Sequence, residues 1–138
     1  MAKVIGTAEA ENNGLLYSTL VKVNQHALLS DETPEFGGKD TGPSPIDYIC
    51  VALASCTVMT MRMYAKRKQW KVDDIKVKVD MVKGTDQPSG KNTFYCQVRI
   101  TGDLDEAQHK RLLEIAKACP IHRLLCKPSD VVMVDPLP

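Results

Sequence analysis

The sequence is short of aromatic residues, of net charge, and of arginine over its first 61 positions. Its 138 residues include two Phe, four Tyr and one Trp, too few for a surface that stacks nucleic-acid bases. Lys and Arg total 18 against 17 Asp and Glu, a formal charge of +1. That balance excludes the basic footprint of a non-specific nucleic-acid binder. No basic stretch followed by an apolar one opens the chain, so no secretory signal is expected. The longest uncharged run, residues 48–61, has 14 positions, whereas a bilayer span needs about 20. It reads as a buried helix, and neither a membrane nor nucleic acid is expected as a partner. There is no repeat, no low-complexity stretch, and no pair of cysteines at CxxC spacing.

Hydrophobic residues make up 43% and charged residues 25%, the composition of a folded chain. The length suits one domain, residues 1–138. Such a chain buries about two-thirds of its unfolded surface, enough for a core without staples. Five cysteines stand at positions 50, 56, 96, 119 and 126. The number is odd, and a cytoplasmic location is expected, where thiols stay reduced. A structural disulfide framework is therefore not expected.

Residues 3–8 read as a first strand, and residues 15–23 and 26–29 as two more around the polar Asn24-Gln25 turn. Residues 31–45 contain Pro34, Gly37, Gly38, Gly42, Pro43 and Pro45 and form a loop long enough to carry function. Ser44-Pro45-Ile46-Asp47 predicts a helix start, with Ser44 as N-cap, Pro45 at N1 and Asp47 at N3. That helix should run to Lys68, with Lys66, Arg67 and Lys68 at the negative end of its dipole. Its uncharged first half predicts burial nearly all round. Alternation over residues 75–81 and 94–100 predicts a hairpin. Asp103 and Glu106 have capping-box spacing before a second helix that buries Leu104, Leu112, Ile115, Ala116 and Cys119. Pro120 interrupts this helix, residues 121–125 add a turn or two, and residues 131–134 read as a terminal strand. The order of elements gives an α+β fold.

Among residues with chemistry, Cys56 lies mid-helix among apolar neighbours and, taken alone, reads as a small buried hydrophobe. Cys119 directly precedes Pro120. If Pro120 opens a new turn, Cys119 is its N-cap, and backbone N–H groups there would stabilise a thiolate, with His122 and Arg123 adding positive potential. An ordinary cysteine lining a kink is the alternative. Cys119, His122 and Cys126 also have the spacing of half a zinc site. A full set needs four ligands, which only Cys50, Cys56, Cys96, His26 or His109 could complete, and no metal is expected. Asp47 reads either as a dipole-stabilising N3 residue or as a functional acid.

Gly37-Gly38-Lys39-Asp40-Thr41-Gly42-Pro43-Ser44-Pro45 and Ala52-Leu53-Ala54-Ser55-Cys56-Thr57 also form a recognisable set. With them go the segment from Thr60 to Lys68, Thr101-Gly102-Asp103-Leu104, and Ile115-Ala116-Lys117-Ala118-Cys119-Pro120-Ile121-His122. Over essentially its whole length the chain resembles the OsmC/Ohr family of osmotically inducible and organic-hydroperoxide-resistance proteins, in detail the YhfA-like branch. The resemblance implies an antiparallel sheet packed on two long helices in an intertwined homodimer. It implies thiol-dependent reduction of organic hydroperoxides, with Cys56 as the attacking thiolate and Cys119 as the resolving cysteine. A dithiol or lipoyl-type reductant would restore the pair, and no metal or flavin cofactor is needed. The family pattern also has an Arg from the N-terminal strands, held by a Glu after the helix-opening Pro. Here the first Arg is Arg62, the upstream cations are Lys3, Lys22 and Lys39, Ile46 follows Pro45, and the acid is Asp47. An OsmC-fold protein with little peroxidase activity, binding a small apolar ligand at the dimer interface, is the alternative.

Overall fold

The computed structural model describes residues 2–134, in the order β1 (Glu9–Glu11), β2 (Thr19–Val23), β3 (His26–Ser30), α1 (Pro45–Lys68), β4 (Lys71–Val82), β5 (Thr93–Asp103), α2 (Glu106–Ala116) and α3 (Pro120–Leu125). It is an α+β chain, and every strand pair is antiparallel. The chain divides between Ile49 and Cys50 into two compact units.

In the first unit, β1, β2 and β3 form a meander. The β2–β3 turn lies at Asn24, whose φ of 54° is a left-handed conformation that Asn tolerates better than most residues. Residues 3–8 are not a strand, because pairing begins only with Glu9 opposite Lys22. The strand expected from residue 15 starts at Thr19. Ahead of it Leu16 takes a φ of 48° and the Ser18 N–H donates to the Leu15 carbonyl at 3.1 Å, which turns the chain. The loop after β3 is organised by Asp31, which is only 3% exposed. Its carboxylate accepts from the Thr41 hydroxyl at 2.8 Å and from the N–H groups of Glu32, Thr41 and Lys39 at 2.7, 3.1 and 3.3 Å. The Thr41 hydroxyl first, then these amides, hold the Asp31 carboxyl below its usual range.

Helix α1 starts as expected. The Asp47 N–H donates to Ser44 Oγ at 3.1 Å, and the Ser44 N–H donates to Asp47 Oδ2 at 3.0 Å. This reciprocal box satisfies two donors that a helix start would otherwise leave unpaired. Burial nearly all round is not observed. Leu53, Thr57, Met61 and Ala65 form a single buried stripe at four-residue spacing, while Ile46, Ile49, Val51, Met59 and Met63 are exposed. A run of apolar residues says how many faces could be buried, not how many this chain covers. By length and composition alone the 24-residue helix could cross a membrane; Met61 and Ala65 in its C-terminal part are buried against Leu112.

In the second unit, Met61 and Ala65 meet Leu112 of α2 beneath the β4–β5 hairpin, with Trp70, Ile75, Val77, Val98 and Ile100 around them. The hairpin extends beyond the alternating segments. The register slips between Val72 and Asp74, and this bulge breaks the alternation at the N-terminal end of β4. Opposite it Gly102 has φ 151°, and an added Cβ would lie 2.3 Å from the Lys71 carbonyl oxygen. Arg62 closes the bulge by donating to the carbonyls of Val72 and Asp73 at 2.6 and 2.9 Å.

The capping box of α2 is not Asp103–Glu106, because Asp103 still pairs with Lys71. It lies two residues on, where the Gln108 N–H donates to Asp105 at 2.7 Å and Gln108 Oε1 accepts from the Asp105 N–H at 3.0 Å. The helix ends at Ala116, and Pro120 opens α3 with Cys119 as its N-cap. Residues 131–134 are exposed and have no strand partner, so the expected terminal strand is absent.

Candidate thiol site

Two local features bring two sulfurs together. Cys56 lies on α1 next to the buried stripe, between Leu53 and Thr57, and is half-buried. Cys119 is carried by the break between α2 and α3, where Pro120 supplies the fixed φ suited to a first helical residue. Its side chain is fully buried, at 0% exposure. The two sulfurs are near enough for each to affect the other's ionisation.

Their surroundings act in opposite senses. Burial, and then the adjacent Cys119 sulfur, push the Cys56 thiol above its ordinary value; the Ile121 N–H and the Thr60 hydroxyl oppose this only in part. Thr60 Oγ1 stands 4.0 Å from the Cys56 sulfur. At Cys119 burial also opposes ionisation. There it is outweighed by the Cys56 thiol, the N–H groups of His122 and Ile121, and the Thr57 hydroxyl, so that Cys119 lies below an ordinary thiol. Cys119 makes no cap bond of regular geometry; the amides at the start of α3 act as oriented dipoles. The Thr57 hydroxyl already donates to the Leu53 carbonyl at 2.7 Å.

None of the groups named at Cys56 is a cation. Arg62 is committed to the β4 bulge, and Arg111 donates to the Tyr64 hydroxyl at 3.1 Å and to Glu114 at 3.1 Å. The described side-chain bond of Asp47 goes to Ser44. The structure thus brings together Cys56 and Cys119 of the residues expected at the site, and gives Asp47 a capping partner at the start of α1.

Sequence reasoning did not single out Thr57 and Thr60. Their positions one and four residues after Cys56 were the available signal, since the latter spacing shares a helix face. Cys96 is exposed and lies close enough to Cys119 to feel its charge. Cys96, His122 and Cys126 line one cavity of about 450 Å³. Among the described residues no group of three or more His, Cys, Asp or Glu side chains is placed to hold a metal ion. The first unit has its own cavity of about 830 Å³, with apolar walls that include Leu16, Val21, Leu28 and Tyr48.

An α+β fold that sets one cysteine in a long helix against a second at a proline break defines a class of thiol protein. The chain matches the OsmC-like protein family over residues 37–134. Solved structures of the same fold include an OsmC-like protein from Mycoplasma pneumoniae (22% identity, 91% of this chain and 89% of that one, TM-score 0.73). Another is an osmotic stress induced and detoxification response protein from Psychrobacter arcticus (20%, 89% and 90%, TM-score 0.72). A third is the organic hydroperoxide resistance protein OsmC of Legionella pneumophila (18%, 91% and 91%, TM-score 0.65). Nothing among the curated proteins matches the chain. The chain belongs to the OsmC-like family.

Proposed function

We propose that the protein is a thiol-dependent peroxidase that reduces organic hydroperoxides through the Cys56–Cys119 pair. The observation that carries this reading is the nearness of the two sulfurs, Cys56 on α1 and Cys119 at the break between α2 and α3. Attack of the Cys56 sulfur on the outer peroxide oxygen breaks the O–O bond and gives an alcohol and a sulfenic acid. Cys119 displaces hydroxide from that sulfur and closes a disulfide. An external dithiol or lipoyl-type reductant reopens it. The chemistry requires neither metal nor flavin. The working form is a homodimer acting in the cytoplasm, and membership of a family with organic hydroperoxide resistance proteins among its structural relatives supports the substrate class. Asp47 contributes by fixing the start of the helix that carries Cys56.

The test is consumption of tert-butyl hydroperoxide with dihydrolipoamide as reductant. The wild type should turn over and Cys56→Ser should not; equal activity in the two would end the proposal. The second reading is an OsmC-fold protein that binds a small apolar ligand and does little peroxide chemistry. It is favoured by the 830 Å³ apolar cavity and by the lack of a cation among the groups acting on Cys56. Tight binding of an apolar probe by a wild type that leaves the peroxide untouched would select it.

A further inference from the structure

The cavity of about 450 Å³ in the second unit gathers side chains that the peroxide reaction leaves unused. Its volume falls in the range of small-ligand pockets, about 300–1,000 Å³. One part of its lining is helical, with Leu53 from α1 and His122, Leu125 and Cys126 from α3 and its C-cap. The rest comes from the first residues of β5 and the turn before them. That turn is pinned by its own hydrogen bonds. The Gly84 N–H donates to Asn92 Oδ1 at 2.8 Å, and the Lys91 N–H donates to Ser89 Oγ at 3.3 Å. Leu53, Phe94 and Leu125 supply apolar wall, and Lys91 brings a cation to the same lining.

His122 and Cys126 are the chemically informative pair. Cys126 keeps right-handed helical angles, φ −84° and ψ −3°, and its N–H donates to the His122 carbonyl at 3.1 Å. The helical turn therefore runs through to Cys126, and residues four apart share a helix face. Both line the cavity. A thiol becomes a strong nucleophile on losing its proton, and a neighbouring imidazole is a common acceptor for that proton. Cys126 is exposed, so a small molecule can reach it.

We propose that this cavity captures small apolar α,β-unsaturated carbonyl compounds covalently, with Cys126 as the nucleophile and His122 as its base. The lining selects the class: apolar wall for a hydrocarbon tail, a cation for the carbonyl oxygen, and a thiol for the electrophilic carbon. His122 takes the Cys126 proton as the sulfur electron pair bonds to the β-carbon. The C=C π pair moves toward the carbonyl oxygen, and the Lys91 ammonium stabilises the enolate that forms. The α-carbon then takes the proton back from His122. One thiol and one alkenal give one thioether aldehyde; nothing is oxidised or reduced, and no co-reactant is needed. Neither Cys56 nor Cys119 is among the described lining residues, and the proposal does not rest on the peroxidase reading. Cys96 is a second thiol in the lining. It comes from β5, opposite Val79, and serves as an internal reference for the reactivity of Cys126.

The experiment incubates the full-length, fully reduced protein with trans-2-nonenal, fixes the adducts with borohydride, and maps them over time by mass spectrometry. Cys126 should be alkylated first, at a rate that saturates with nonenal because the tail is bound before the bond forms. His122→Gln should slow that adduct about 100-fold, the lower range of general base catalysis, and leave the rate at Cys96 unchanged. A histidine that only supports the fold would move both thiols together, and that result would overturn its role as base. Acrolein has no tail and should react with the wild type without saturating, a readout that does not depend on any variant folding. Adducts that appear on Cys96 or Cys56 before Cys126, or a Cys126 rate that stays linear in nonenal, would overturn the proposal.

Discussion

Oxidising the Cys56–Cys119 pair should stabilise the fold by about 3 kcal/mol. The two residues are 63 positions apart, and closing a loop of that size removes about 4 kcal/mol of chain entropy from the unfolded state. The hydrogen bonding that the reduced pair gives up subtracts about 1 kcal/mol. In a chain of this length 1 kcal/mol moves the melting temperature by about 3–4 °C, so the disulfide form should melt about 10 °C above the dithiol form. The assay is scanning calorimetry after one equivalent of organic hydroperoxide, with and without dithiothreitol, and Cys56→Ser as the control that should not shift. If the mapped disulfide form melts at or below the reduced form, the reasoning fails, because the bond would then strain a pair described as already in position.

Two further predictions concern the scaffold. Leu112→Ala removes a fully buried side chain that packs on Met61 and Ala65; it should cost about 2–5 kcal/mol, read as a lower denaturant midpoint at unchanged slope. The Asp31 carboxyl is held below its usual value by Thr41 and the loop amides. Its folded pKa is lower than its unfolded one, so its contribution is present above the ordinary value near 3.9 and fades as pH falls through the folded value. Asp31→Asn should flatten the stability profile over that acid range, and an unchanged profile would show that Asp31 does not organise the loop.

The α1 boundaries were legible because Ser44-Pro45-Ile46-Asp47 and Lys66-Arg67-Lys68 carry local chemistry that depends on little else. The ends of β4 and β5 were not, because the bulge at Val72–Asp74 shifts the alternation that marks a strand. Two acids two residues apart, Asp103 and Asp105, both suited a capping box, and only the pairing of Asp103 with Lys71 decided between them. At the site, the N-cap position of Cys119 followed from Pro120 alone. The partnership with Cys56 did not: a separation of 63 positions divides chain neighbourhood from spatial neighbourhood, and only the family resemblance paired the two.

The central claim is that Cys56 and Cys119 form one redox unit. Its most direct test is to treat the fully reduced protein with one equivalent of tert-butyl hydroperoxide, block the remaining thiols, and map the cysteines by mass spectrometry. The account predicts that the peroxide is consumed and that a Cys56–Cys119 linkage appears, with Cys50, Cys96 and Cys126 blocked as thiols. Unspent peroxide with both cysteines still reduced, or a linkage that bypasses either of them, would contradict it.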